Sequence, residues 1–179
     1  MKIIFITGGS RSGKSSYALK LSGQQAGKKA FIATAEPLDD EMRLRIDAHK
    51  RQRSDVWETF EEPVRLSEMI SELVESYDVI LVDCLTLWLS NCLMREPFPE
   101  IGTVTKEIDD FISRLKKLKA TESKDKRLYL VSNEVGMSIV PDNKLARVFR
   151  DAAGLLNQQA AAVADEVYFV VSGLPLKLK

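Results

Sequence analysis

Net charge is absent from this sequence: 26 Lys and Arg cancel 26 Asp and Glu over 179 residues. A zero balance offers no broad basic surface for nucleic acid or an anionic membrane, although a local basic pocket can sit inside it. Cysteine is scarce. Cys84 and Cys92 form no CxxC or other metal-ligand spacing, which excludes a disulfide framework and reads as two reduced, buried thiols of a cytoplasmic protein. No apolar run approaches the roughly 18–20 residues of a membrane span. The opening MKIIFITGG is ended by glycine too soon for a signal peptide. Internal repeats and low-complexity linkers are also missing. Histidine is reduced to one residue, His49, so any imidazole chemistry must come from there.

What is present is an ordinary soluble composition, 45% hydrophobic and 29% charged, which argues against bulk disorder. The length fits one domain over residues 1–179 with a sizeable core. Apolar, β-rich runs occur at 2–7, 29–34, 55–60, 78–83, 127–133 and 166–173, and a final LKLK can add an edge strand. Helical patterns lie between them at about 14–24, 39–53, 63–76, 103–119 and 143–164. In the last, Leu145, Val148, Phe149, Ala152, Leu156, Ala160 and Val163 recur at steps of three and four, giving one apolar stripe. Runs such as VILV and LYLV are continuously apolar, as strands covered on both faces must be. The expectation is a three-layer α/β fold, a mainly parallel sheet flanked by helices. The interval 84–102 begins like an apolar helix and ends Pro-rich; Trp88 and Leu89 there suit a core, a subunit contact or a substrate wall.

Gly8-Gly9-Ser10-Arg11-Ser12-Gly13-Lys14-Ser15 matches GxxxxGK[ST] and lies between the strand IIFIT and the helix SSYALKL. Glycines let successive N–H groups turn inward on a phosphate, and the helix N-terminus adds partial positive charge. Lys14 is expected to reach β- and γ-phosphate oxygens and Ser15 to ligate Mg²⁺. Such loops need a second carboxylate at a neighbouring strand end, and Asp83, closing VILVD, is the candidate. Its plainer reading is a turn or cap residue. Glu134, after LYLVSN, could be a base, a water-positioning group or an outer partner of the metal, or a plain surface carboxylate.

PLDDEMRLRIDAHKRQR carries His49. Asp39 and Asp40 suit a helix start and the basic residues its end. Met42, Ile46 and His49 share one face, so a packing role for His49 is open. Lys50, Arg51 and Arg53 after it form either a solvated basic face or a neutraliser of a triphosphate. A neutral imidazole beside phosphates can act as acid, base or nucleophile at phosphorus.

Together GGSRSGKS, IATAEPLDDEMRLRIDAHKRQR, VDCLTLW, VSNEVGMSIVPDNKLARVFRDAAGLLNQ and ADEVYFVVSG resemble the bifunctional adenosylcobinamide kinase / adenosylcobinamide-phosphate guanylyltransferase family of cobalamin biosynthesis. The likeness spans almost the whole chain. It implies a RecA-like P-loop sheet, a homotrimer, and two reactions with Mg²⁺ as cofactor. The first phosphorylates adenosylcobinamide from ATP or GTP. The second transfers GMP from GTP to that phosphate through a guanylylated histidine, giving adenosylcobinamide-GDP and pyrophosphate. His49 falls at the histidine's position, and Lys14 serves the phosphates. The resemblance further implies nucleotide contacts from Gly8 to Ser15, at Thr34, Ala35 and Glu36, at Lys50, Arg51, Gln52 and Arg53, and at Glu61 and Asp83, with Ser15 and Asp83 toward the metal. The competing readings are a small-molecule P-loop kinase without nucleotidyl transfer and a nucleotide-gated assembly protein.

Overall fold

A computed structural model describes residues 1–37, 40–51, 55–95, 101–120 and 125–179. The elements run β1 (Lys2–Gly8), α1 (Lys14–Gly23), β2 (Lys29–Ala33), α2 (Asp40–Arg51), β3 (Trp57–Glu61), α3 (Leu66–Ser76), β4 (Val79–Asp83), α4 (Leu85–Arg95), α5 (Ile101–Ala120), β5 (Arg127–Asn133), α6 (Lys144–Val163), β6 (Glu166–Val171) and β7 (Leu174–Lys177). Seven strands form one sheet in the order β3-β2-β4-β5-β1-β6-β7. The first six pair in parallel and β7 joins β6 antiparallel.

Strand alternation sends side chains to two faces. Ile3, Phe5, Ile32, Ile80, Val82, Leu128 and Leu130 pack against buried residues of α3, α4, α5 and α6. Ile4, Ile6, Phe31, Leu81, Tyr129 and Val131 meet Ala18 of α1 on the other face. Both faces are covered, which is why these strands read as unbroken apolar runs. Each fully buried large side chain contributes roughly 1.5–3 kcal/mol. On α6 the expected stripe faces inward, with Ala152, Leu156, Ala160 and Val163 buried, and Asn143 caps the helix by accepting the Ala146 N–H at 3.2 Å.

Some boundaries move for visible reasons. The strand expected over 55–60 begins at Trp57, because Asp55 and Val56 form a turn. The helix expected from 63 starts at Leu66. Before it, the buried Glu62 carboxylate accepts the Val64 and Arg65 N–H groups at 3.0 and 2.8 Å, holding those residues in a turn. The ambiguous interval contains α4 and the start of α5, while residues 96–100 lie outside the described set. Trp88 belongs to the core: it is buried, stands 5.0 Å from the Phe111 ring centroid, and donates Nε1–H to the Val64 carbonyl at 2.7 Å. Leu89 is buried in the same cluster. The edge strand is Leu174–Lys177, two residues earlier than LKLK. Cys84 is buried and Cys92 half-buried, and both are free thiols. No helix among the described residues is long and apolar enough to cross a membrane.

Candidate functional site

Parallel strands bring the ends of β1, β2, β3, β4 and β5 to one edge of the sheet, and in such sheets ligands bind beyond those carboxyl ends. The phosphate loop leaves β1 at Gly8, opposite Asn133 of β5 and Val170 of β6. At Gly8 a Cβ atom would stand 2.3 Å from the Val170 carbonyl oxygen and 2.8 Å from Ser12 Oγ, so only glycine lets the loop turn there. Gly13 (φ 92) is the N-cap of α1 and supplies no side-chain cap. The first N–H groups of α1 are thus donors suited to an anion. Ser10 and Arg11 are exposed, Gly9 and Ser15 half-buried, and Ser12 and Lys14 buried. The hydroxyls of Ser12 and Thr7 are buried with no hydrogen-bond partner among the described residues.

Lys14 Nζ donates to the Gly9 carbonyl at 3.1 Å, across the loop. Burial pulls its ammonium below the usual range, while Cys84 and Asp83 pull it upward. Burial also pushes the Cys84 thiol up to about 11. The end of β4 therefore lies within electrostatic reach of the loop lysine. Glu134 lies beside the same loop: its N–H donates to the Gly8 carbonyl at 3.0 Å, and its carboxylate accepts the Gly136 N–H at 2.8 Å.

Thr34 is fully buried and all its polar groups are engaged. Its hydroxyl donates to the Cys84 carbonyl (2.7 Å) and accepts the Cys84 N–H (2.8 Å), its N–H donates to Asp83 O (3.3 Å), and its carbonyl accepts Asn91 Nδ2 (2.7 Å). Ala35 and Glu36, half-buried, follow this pinned residue, and Glu36 pairs with Arg95 of α4 at 3.0 Å. Sequence reasoning missed Asn91, whose amide also donates to Pro63 O at 3.0 Å and so joins the β2 and β3 exits. It missed Thr86 as well, which accepts the Asn133 N–H at 2.6 Å and shares a hydrogen bond with Ser132 at 3.0 Å. Asn157 of α6 donates to Asn133 O at 3.0 Å. The available signal was polar residues at core-facing positions of otherwise apolar helices.

The other group of expected residues lies at the far end of this edge. Lys50, near the end of α2, meets Glu61 of β3 at 2.7 Å, and both are exposed. β3 is four strands from β1, so at about 4.8 Å per strand roughly 19 Å of sheet separates that ion pair from the phosphate loop. His49 and Arg51 lie on α2, but their side chains are outside the described set, as are Gln52 and Arg53 altogether. The structure thus brings together Gly8–Ser15, Asp83 and Glu134, ties Thr34 to the end of β4, and places Lys50 with Glu61 apart from them.

Comparison with known proteins adds to this geometry. Residues 4–178 match the family described as cobinamide kinase / cobinamide phosphate guanyltransferase. The bifunctional adenosylcobalamin biosynthesis protein CobU of Salmonella typhimurium strain LT2 is 44% identical over 99% of both chains. CobU of Escherichia coli K12 is 40% identical with the same coverage, and CobP of Pseudomonas aeruginosa is 37% identical over 97% of this chain and 95% of that protein. Among solved structures, an ATPase of a type III secretion system superposes with TM-score 0.58 at 10% identity, covering 98% of this chain but 56% of that one. The RadB recombinase gives 0.54 at 14%, covering 94% and 73%. At such identities the likeness concerns the fold alone, which is the RecA-like P-loop sheet.

Proposed function

This chain belongs to the cobinamide kinase / cobinamide phosphate guanyltransferase family, and on that premise we propose that it carries out both reactions within one domain over residues 1–179. It phosphorylates adenosylcobinamide from ATP or GTP, then transfers GMP from GTP to adenosylcobinamide phosphate, giving adenosylcobinamide-GDP and pyrophosphate. The observation that carries this reading is the match to bifunctional relatives at both ends of the chain, which includes the loop and the histidine helix alike.

In the kinase step the loop amides of Gly9–Ser15 and the Lys14 ammonium bind the β- and γ-phosphates. Donors fixed before the reaction begins stabilise charge as it develops, without reorganising. Ser15, at the start of α1, and Asp83, at the end of β4, would supply oxygen donors only, a set that suits Mg²⁺ held mainly by phosphate and water. When bound, the ion neutralises charge on the departing phosphate groups. Thr34 acts through its position: with its hydroxyl committed to Cys84, it is the backbone it anchors, leading to Ala35 and Glu36, that meets the nucleotide.

In the transfer step neutral His49 attacks the α-phosphorus of GTP. An N–P bond forms, the α–β bridging P–O bond breaks, and pyrophosphate leaves; the imidazole N–H proton is then lost to a base. The phosphorylated acceptor next attacks the guanylylated histidine and frees it. Attack requires the imidazole nitrogen and the phosphorus to come within about 3–3.5 Å. The exit of β3 and the phosphate loop stand far apart along the edge, so guanylylation needs α2 and the GTP α-phosphate to be brought together. Lys50, Arg51, Gln52 and Arg53 supply charge and hydrogen bonds there, and Glu61 fixes Lys50. We place the protein in the cytoplasm as a homotrimer.

Incubation with α-labelled GTP tests the assignment. An acid-labile, alkali-stable label on the wild type, lost in His49→Asn, is expected. Cobinamide phosphorylation without any protein label under turnover conditions would leave only a small-molecule kinase.

A further inference from the structure

The β6–β7 hairpin lies against the phosphate loop, and backbone atoms make the contact. Val171 pairs with Leu174, leaving Ser172 (φ 52) and Gly173 (φ 80) as a two-residue turn. Two positive φ values in a two-residue link mark the primed hairpin turn, whose twist matches its strands and fixes the direction of its tip. Gly173 N–H donates to the Ser12 carbonyl at 2.8 Å. A Cβ at Gly13 would stand 3.2 Å from Gly173 Cα, so the hairpin tip and the loop approach to backbone contact.

In a planar trans peptide the C=O and the following N–H point in opposite directions. Tying the Ser12 carbonyl to the hairpin therefore turns the Gly13 N–H away from the hairpin. We propose that Gly173 is a positioning residue of the nucleotide site, whose N–H orients the Ser12–Gly13 peptide so that the Gly13 N–H is aimed at phosphate before nucleotide arrives. The proposal rests on the phosphate-loop reading above and adds a residue that lies 160 positions away in sequence. It concerns binding of the nucleoside di- or triphosphate, not the corrinoid, so it can be tested without the acceptor.

The test replaces the residue-173 amide with an ester by ligating a synthetic C-terminal segment carrying glycolate at that position. This exchange deletes the N–H and adds no side chain. Calorimetry with Mg-ADP and kinase assays with ATP are the readouts. Loss of one neutral hydrogen bond corresponds to about tenfold in affinity, so the ester should raise the ADP Kd and the ATP KM together by about that factor. The kinase kcat should stay near wild type, and the melting temperature should fall by no more than the drop of about 2–4 °C that one lost hydrogen bond accounts for. Gly173→Asn, which tolerates positive φ and keeps the N–H, should bind ADP like wild type. An ester protein with wild-type ADP affinity would overturn the proposal. So would equal losses in the ester and Asn proteins, or a fall in kcat and melting temperature with no separate rise in KM. A wild-type protein that binds no ADP would overturn the phosphate-loop reading and this inference with it.

Discussion

The described residues of the phosphate loop and of the histidine helix differ in burial and in the contacts they make. The loop's surroundings are built from close contacts to backbone, several of them buried: Gly8 against Val170, Ser12 O on the exposed turn residue Gly173, Glu134 N–H on Gly8 O, Thr34 closed on Cys84. Helix α2 has no buried residue among its described side chains; Met42 and Ile46 are half-buried and Asp40, Arg43, Leu44 and Lys50 exposed. Among its polar contacts are the exposed Lys50–Glu61 pair and an Asp40–Arg43 pair at 3.5 Å. Buried hydrogen bonds inside a packed fold are costly to break, whereas exposed ion pairs contribute about 0–1 kcal/mol. A preformed loop serves a step that needs fixed donors. The transfer step instead needs a nucleophile on α2 to meet phosphorus from a distance.

The largest test of this contrast is chemical. Lys14→Ala should cost the kinase step about 10²–10³-fold in kcat, measured by cobinamide phosphorylation. His49→Asn should remove the guanylyl label entirely while phosphorylation persists. If both variants lost both activities equally, the two regions would not be separate machinery.

A second test strikes the pinned side. Thr34→Val deletes a buried hydroxyl that makes two hydrogen bonds to Cys84 and leaves that N–H unpaired, while the Cys84 carbonyl keeps the Trp88 N–H at 3.2 Å. Urea denaturation should show about 1–3 kcal/mol of lost stability. A midpoint unchanged from wild type would show that the β2 exit is not pinned as described.

Acid sharpens the comparison at the hairpin's root. Hydrogen bonds from Lys2, Tyr168 and Lys177 hold the Glu166 carboxyl at about 2, below its ordinary 4.5. The folded carboxyl takes up its proton less readily than the unfolded one. Its contribution is therefore whole above about pH 4.5 and lost as the pH falls toward 2. Thermal melts of wild type should decline across that window more steeply than those of Glu166→Gln, and parallel slopes would contradict the assignment. The smallest effect belongs to α2. Lys50→Met should change stability by roughly 0.2–1 kcal/mol, and high salt should erase the difference. The guanylyl-labelling rate should respond to that variant while ADP affinity does not.

Much of the fold was legible because it follows from short-range pattern. Continuous apolar runs gave the parallel strands, the three-and-four spacing gave α6, and the glycines with Lys14 gave the loop between β1 and α1. Boundaries shifted where a side chain intervened, as Glu62 does before α3. The site was legible only in part. Thr34 carried a resemblance to a nucleotide contact, but nothing in IATAE shows that its hydroxyl is committed to Cys84, 50 residues on. Asn91 and Thr86 look like polar interruptions of an apolar helix until the strand exits they hold are seen.

By itself the sequence determined the P-loop, the strand and helix pattern, the single histidine and the family likeness, since each depends on residue type and local spacing. Tertiary structure alone decided which strand ends adjoin, that Asp83 comes within electrostatic reach of Lys14 while Lys50 sits at the far edge with Glu61, and that Gly173 closes on Ser12. Those facts depend on strand order and on contacts between residues distant in the chain, and no local spacing encodes either.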